Sequence, residues 1–410
     1  MKNLFIICMT ALLCFACNDS KTVTVTVTNP LGMERSGEMV EVSMEEVAGR
    51  LSLADSASII VVDADGRQVP YQITYDDKVI FPATVGANGT ARYTIKAGQP
   101  EIIPTVACGK HYPNRLDDVA WENDLVGFRA YGPALQARGE RGFGYDLFTK
   151  RDTDSPVLEG MYEKETDQEV RKAISELRKT DPQAAAERSR AISYHIDHGN
   201  GMDCYAVGPT LGAGVAALMV NDTILYPWCY REQEILDNGP LRFTVKLVFN
   251  PLTVRGDSSV VETRVITLDA GSHLNRTAVS YTNLKETLPI VAGIVLHEPD
   301  GAVVTNAAEG FITYVDPTTG PDNGKIFVGI SVPTVVKEAK TVLFPEQEKK
   351  QRNNADGHVL AVSDYVPDSD FVYYWGFAWD RADIKSAEAW NQYMADFSQK
   401  VRNPLGVQIK

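Results

Sequence analysis

The sequence predicts a mainly β protein: a small N-terminal antiparallel β-sandwich, then a larger region of antiparallel sheets with a helical insertion and a C-terminal helix. Three observations carry this. The run Val23-Thr24-Val25-Thr26-Val27-Thr28 alternates apolar and polar residues without a break, the period of a half-buried strand. Turn clusters at Asp63-Ala64-Asp65-Gly66 and Gly86-Ala87-Asn88-Gly89 then separate short apolar segments at regular spacing. Beyond residue 240, long strand-like segments follow one another with no βαβ rhythm, so the sheets are antiparallel and pack face to face.

Taken in order, residues 1–16 read as a signal peptide. Lys2 is the only charge, and 4–16 is an apolar run too short to span a bilayer as a helix. The run ends at Cys17, where the chain turns polar, so Cys17 is expected to be the lipidated first residue of the mature protein. That places the protein at the cell envelope, in the periplasm or on the outer-membrane surface, with the lipid as its only membrane contact. Residues 17–105 form the small sandwich, with further strands at 38–44, 58–62, 71–75, 79–82 and 90–96. Residues 106–410 form the larger domain. Its insertion, at about 160–191, is a Glu-, Lys-, Arg- and Ala-rich helical stretch that Asp181-Pro182 breaks in two. Strands follow at 241–249, 259–269, 274–282, 290–296, 302–304, 310–315, 325–332, 358–362 and 371–377. A polar surface loop is expected at 347–354 and a closing helix at 384–400.

Composition narrows the function. Over 410 residues, 44% hydrophobic and 23% charged residues are ordinary globular values. A net charge of −14 argues against nucleic acid, which requires a concentrated basic surface. Beyond Cys17 only Cys108, Cys204 and Cys229 remain, an odd number without CxxC or zinc spacing. No Gly-x-Ser-x-Gly elbow, His-Glu-x-x-His helix or phosphate loop is present, which removes the usual serine hydrolases, zinc proteases and kinases.

Several clusters remain that carry usable chemistry. Glu122 and Asp124 precede Arg129 and Tyr131, which strand alternation sets on one face about 7 Å apart. A guanidinium grips a carboxylate through two hydrogen bonds, and a phenol can transfer a proton. A buried Tyr beneath a structural Arg–Glu pair explains the same residues. Asp146 with Lys150 and Arg151 makes a second cationic group or a salt-bridged turn. The segment from Tyr194 to Tyr205 gathers His195, Asp197, His198, Asn200 and Asp203 among glycines. Imidazole as a group is suited to proton transfer near neutral pH. His195, Asp197 and Asn200 offer donors for a divalent cation, but the spacing matches no EF-hand, so no metal or other cofactor is expected. His297 ends an apolar strand, and Trp375 and Trp379 flank an Asp and an Arg as sugar-stacking candidates.

The order of motifs resembles the family called domain of unknown function 4861. The matching segments are Glu122-Asn123-Asp124, Arg129-Ala130-Tyr131-Gly132-Pro133-Ala134-Leu135, Gly144-Tyr145-Asp146 with Lys150-Arg151, Gly201-Met202-Asp203-Cys204-Tyr205, Gly208 to Gly214, and Asn238-Gly239-Pro240-Leu241-Arg242. Tyr374-Trp375-Gly376 and Trp390 also fit. The resemblance implies a secreted or lipid-anchored protein of glycan-degrading bacteria. It also implies a large β-region like the galactose mutarotase-like supersandwich, with a carbohydrate site on the concave face of the larger sheet. It assigns no catalytic residue.

Together these readings predict a carbohydrate-active enzyme whose partner is an acidic oligosaccharide or polysaccharide, acting as a lyase at uronic acid residues. Arg129, Lys150 and Arg151 would neutralise the substrate carboxylate, with His198 or Tyr131 as base and acid. His195, Asp203 and Tyr205 would orient them, and Glu122, Asp124, His297, Trp375 and Trp379 would bind substrate. The alternatives are a hydrolase or mutarotase-like enzyme using carboxylates such as Glu122, Asp124, Asp203 or Glu234, and a glycan-binding lipoprotein without activity.

Overall fold

A computed structural model describes residues 21–52, 58–151 and 155–410. The leader and Cys17 lie outside the described residues. The chain is mainly β, in several antiparallel sheets.

The alternating run becomes the strand Thr22–Thr28, with Val23, Val25 and Val27 fully buried. Its sheet runs Gly406–Ile409, Thr22–Thr28, Thr90–Ala97, Ile59–Val62, Gln68–Val69. A second sheet of Arg35–Ser43, Lys78–Val85 and Gln72–Ile73 shares its core through Val40, Val79, Phe81 and Ile95. The outermost strand comes from the far end of the chain, Val25 pairing with Ile409 and Thr28 with Gly406. The segment expected to be strand through residue 44 stops at Ser43. There the Ser43 hydroxyl accepts from Glu46 N–H and starts the helix Met44–Leu51.

A nine-stranded sheet holds Tyr230–Asn238, Arg242–Phe249, Asp257–Asp269, Leu274–Thr282, Phe371–Trp379, Ile326–Ser331, Phe311–Asp316 and Val303–Asn306, with Leu252–Val254 paired to Asp257–Asp269. A five-stranded sheet of Thr223–Ile224, Ala213–Val220, Leu288–Leu296, Gly357–Tyr365 and Glu338–Leu343 shares one core with it, including Val215, Ile290, Val245, Ile266 and Val328. Apolar side chains therefore fill the face of the larger sheet that meets the smaller one. The helix Ala387–Arg402, capped by the Ser386 hydroxyl, packs Trp390 and Met394 against Phe327 and Leu274. The expected polar loop at 347–354 contains the short helix Glu346–Gln351.

A third, middle sheet positions the site. Its order is Gly201–Asp203, Asp146–Lys150, Val126–Ala130, Asp118–Glu122, Cys108–Tyr112. One face is aromatic: Trp121 stacks on Phe243 and Phe128 meets Trp375 edge-on. Cross-strand partners share a face, so Arg129, Asp146 and Ala120 lie together on the other side, as do Phe148 and Asp203. The helix Leu158–Thr166 lays Leu158, Met161 and Tyr162 over Ala120 and Phe148 and covers that side. Beyond it, Gln168–Thr180 and Pro182–Ile192 are capped by Asp167 and Asp181, with Pro182 opening the second helix. Only Ile174 of the first of these is buried, so its charge run is a solvated face.

Candidate functional site

Alternation collects the middle sheet's charges on its covered face in two groups. At one end Lys150 Nζ lies 2.6 Å from Glu122 and 2.5 Å from the Asn123 carbonyl. Glu122 also accepts the N–H groups of Val157 and Leu158, anchoring the start of the covering helix. This buried pair ties sheet to helix and reaches no cleft.

At the other end the Arg129 guanidinium is buried among carboxylates. Its Nη2 bonds Asp146 and lies 3.2 Å from Asp203 Oδ2, while Nη1 lies 3.9 Å from Asp118 and 3.3 Å from the Tyr194 hydroxyl. Tyr131 donates to Asp146 at 3.0 Å. Burial first, and the Asp146 charge second, hold the Asp203 carboxyl well above the usual carboxylate range, against the pull of Arg129. Burial likewise pushes Asp118 up to about 6, with Arg129 and Arg115 opposing. Burial and the Asp146 charge keep Tyr131 a phenol. Gly201 fixes the edge strand: at φ +107° a Cβ would stand 1.8 Å from the Thr149 oxygen, so only glycine lets Asp203 reach Arg129.

This end opens into a polar cleft of about 300 Å³. Arg115, Arg129, Tyr131, Asp146 and Asp203 line one side, and His195, Tyr205, His297, Thr319 and Arg352 complete it. His297 Nδ1 lies 2.6 Å from buried Asp316, and its ring meets Tyr205 edge-on at 5.8 Å. Burial disfavours the imidazolium, but Asp316 and a bond to the Ala206 backbone outweigh it, so the His297 pKa is raised. His195 is half exposed, with Nδ1 3.1 Å from the Asp203 carbonyl. The Tyr205 hydroxyl is buried and has no hydrogen-bond partner among the described residues. Arg115 binds the Tyr194 hydroxyl at 2.7 Å and lies 3.7 Å from Asp118.

Of the residues chosen from the sequence, the fold brings Arg129, Tyr131, His195, Asp203, Tyr205 and His297 into this cleft. The others go elsewhere. The expected gathering of Arg129, Lys150 and Arg151 does not occur: Lys150 is spent on Glu122, and Arg151 pairs with Asp197 at 2.5 Å. His198 is exposed, with Nε2 3.1 Å from the Ser193 carbonyl. Asp124 accepts the Gly271 N–H in a turn. Trp375 is wholly buried, stacked on Tyr145 with its N–H on Thr277, because it faces the shared core. Trp379 is also buried, its N–H bound to the Asn323 carbonyl and its face under Arg151. His195 and Asp197 turn to different partners, and no group of three or more His, Cys, Asp or Glu suited to a metal occurs among the described residues.

Sequence reading missed Arg115, Asp118, Asp316 and Arg352. Asp118 carried a signal, since its alternation with Ala120 and Glu122 matches that of Arg129 and Tyr131 across the turn. The other three arrive from loops and strand ends distant in sequence and carried none.

A family model described as Domain of unknown function (DUF4861) matches residues 27–407. "Uncharacterized protein P7" of Formosa agariphila is 26% identical over 417 residues, covering 96% of this chain and 94% of its own length. Similar solved structures include a glycosyl hydrolase family 38 protein from Enterococcus faecalis (9% identity, TM-score 0.46, 95% of this chain and 47% of that one). An alpha-mannosidase from Enterococcus faecalis V583 is also similar (10% identity, TM-score 0.40, 95% of this chain and 46% of that one). The chain spans about half the length of these two solved structures.

Proposed function

This chain belongs to the family Domain of unknown function (DUF4861), and from that premise we propose that its cleft is the active site of an enzyme acting on acidic glycans, by elimination at a uronic acid residue. The observation that carries the reading is the convergence of Arg115, His195, Tyr205 and His297 on one polar cleft.

Arg115 and the His297 imidazolium would take the sugar carboxylate and stabilise the charge that develops when the adjacent proton leaves. His195, the most exposed base at the cleft, would remove that proton. The C–O bond to the leaving sugar then breaks as the ring double bond forms, and the Tyr205 hydroxyl gives its proton to the departing oxygen. Arg129 and Tyr131 pass from the reacting roles expected of them to holding Asp146 and Asp203 in place. The expected lipid at Cys17 would present this chemistry at the cell envelope.

One observation favours a second reading. Asp146 and Asp203 meet the same guanidinium nitrogen, burial and the Asp146 charge hold Asp203 well above the usual carboxylate range, and a raised carboxyl beside a second carboxyl is the pairing that acid–base hydrolysis uses. Incubation with uronic-acid oligosaccharides from pectin, ulvan and glycosaminoglycans separates the two. Ultraviolet absorbance of an unsaturated product is expected. Reducing ends without absorbance would transfer the site to hydrolysis, and neither signal on any substrate would overturn both.

A further inference from the structure

Four of the five tryptophans are buried, and the exception is Trp228, 42% exposed. Its ring lies 6.3 Å from Phe143, which lies 5.4 Å from Tyr226. The Arg352 guanidinium sits over Tyr226 at 4.3 Å, and Arg352 lines the cleft. A second connection runs through the chain before Phe143. Glu140 lines the cleft, and Gly142 lies so close under the Tyr131 ring that a Cβ there would stand 2.4 Å from it. The aromatic cluster therefore adjoins the cleft both through Arg352 and through the chain from Glu140 to Phe143.

We propose that Trp228, with Phe143 and Tyr226, forms a second sugar subsite, taking the residue beyond the disaccharide held in the cleft. Three properties identify the occupant. A cleft of about 300 Å³ is at the small end of ligand sites, so a longer glycan must run onto the neighbouring surface. A sugar ring has an apolar C–H face and polar edges. Trp228 offers an exposed aromatic face beside half-buried Phe143, and the Arg352 guanidinium over Tyr226 supplies a polar group at the edge of the cluster. The inference rests on the glycan reading of the cleft and adds chain-length preference to it.

The test is calorimetric titration of protein carrying Tyr205→Phe, which slows turnover, with uronic-acid di- and tetrasaccharides cut from pectin, ulvan and chondroitin. The tetrasaccharide of the preferred glycan is expected to bind about tenfold more tightly than its disaccharide. Adding Trp228→Ala should reduce that advantage to about twofold while leaving disaccharide affinity unchanged, which also shows that the variant is folded. Trp228→Tyr should keep most of it. A full tetrasaccharide advantage in Trp228→Ala would overturn the subsite and leave the cleft reading standing. No binding of any saccharide to either protein would overturn the glycan reading, and the subsite with it.

Discussion

His297 Nδ1 stands 2.6 Å from Asp316 Oδ2, joining the end of one large sheet to the end of the other at the wall of the cleft. Because the folded pKa of His297 is raised, the dyad's stabilisation is complete below the unfolded value near 6.5 and disappears as pH climbs through the folded value. Asp316→Asn should bring the imidazole titration below that of the parent by NMR and weaken the fold at pH 6 by about 2 kcal/mol. An unchanged titration would show that Asp316 does not hold the proton.

Asp118 runs the other way in charge but the same way in pH. Its carboxyl is pushed up to about 6 by burial, so the folded state binds the proton more tightly than the unfolded state. Stability then falls as pH rises from about 4 to about 6, by up to roughly 3 kcal/mol. Asp118→Asn can still accept the Gly132 N–H and should remove this part of the fall. Urea midpoints for both proteins at several pH values measure it; parallel curves would contradict it.

Lys150 and Glu122 are a structural pair. Lys150→Met leaves a carboxylate buried alone and should cost about 4 kcal/mol in urea unfolding. Lys150→Met with Glu122→Gln should recover part of that, since the amide can keep accepting from the start of the helix at Leu158. Saccharide affinity per folded molecule should be unchanged in the double variant; a large loss would return Lys150 to the binding site.

The strand Gly406–Ile409 covers the edge of Thr22–Thr28. Deleting residues 405–410 bares that edge, and hydrogen exchange should speed at Val25 and Val27 by at least tenfold while Val245 and Val328 keep their protection. Equal loss in both places would mean that the two cores unfold as one.

The elements of this chain were largely legible because they are local. Thr22–Thr28 announces its period in six residues, and Asp181-Pro182 both ends one helix and starts the next. Trp375 and Trp379 were misread because composition cannot tell an aromatic that meets sugar from one that meets the facing sheet. Lys150 and Arg151 were misread because a cation's partner is chosen across space: the fold sets them against Glu122 and Asp197.

The sequence by itself determined a mainly β chain, its helical insertion, and the alternation that sets Arg129 beside Tyr131. Those depend on periods of two and 3.6 residues and on turn chemistry, which act between near neighbours. Only the tertiary structure decided which charges meet. Asp118, Asp146 and Asp203 come to Arg129 through strand pairing, and His297, held by Asp316, and Arg352 come to the same cleft from the ends of other elements. Burial then does what no sequence pattern expresses: it removes water from these groups and raises the Asp118 and Asp203 carboxyls above the usual carboxylate range.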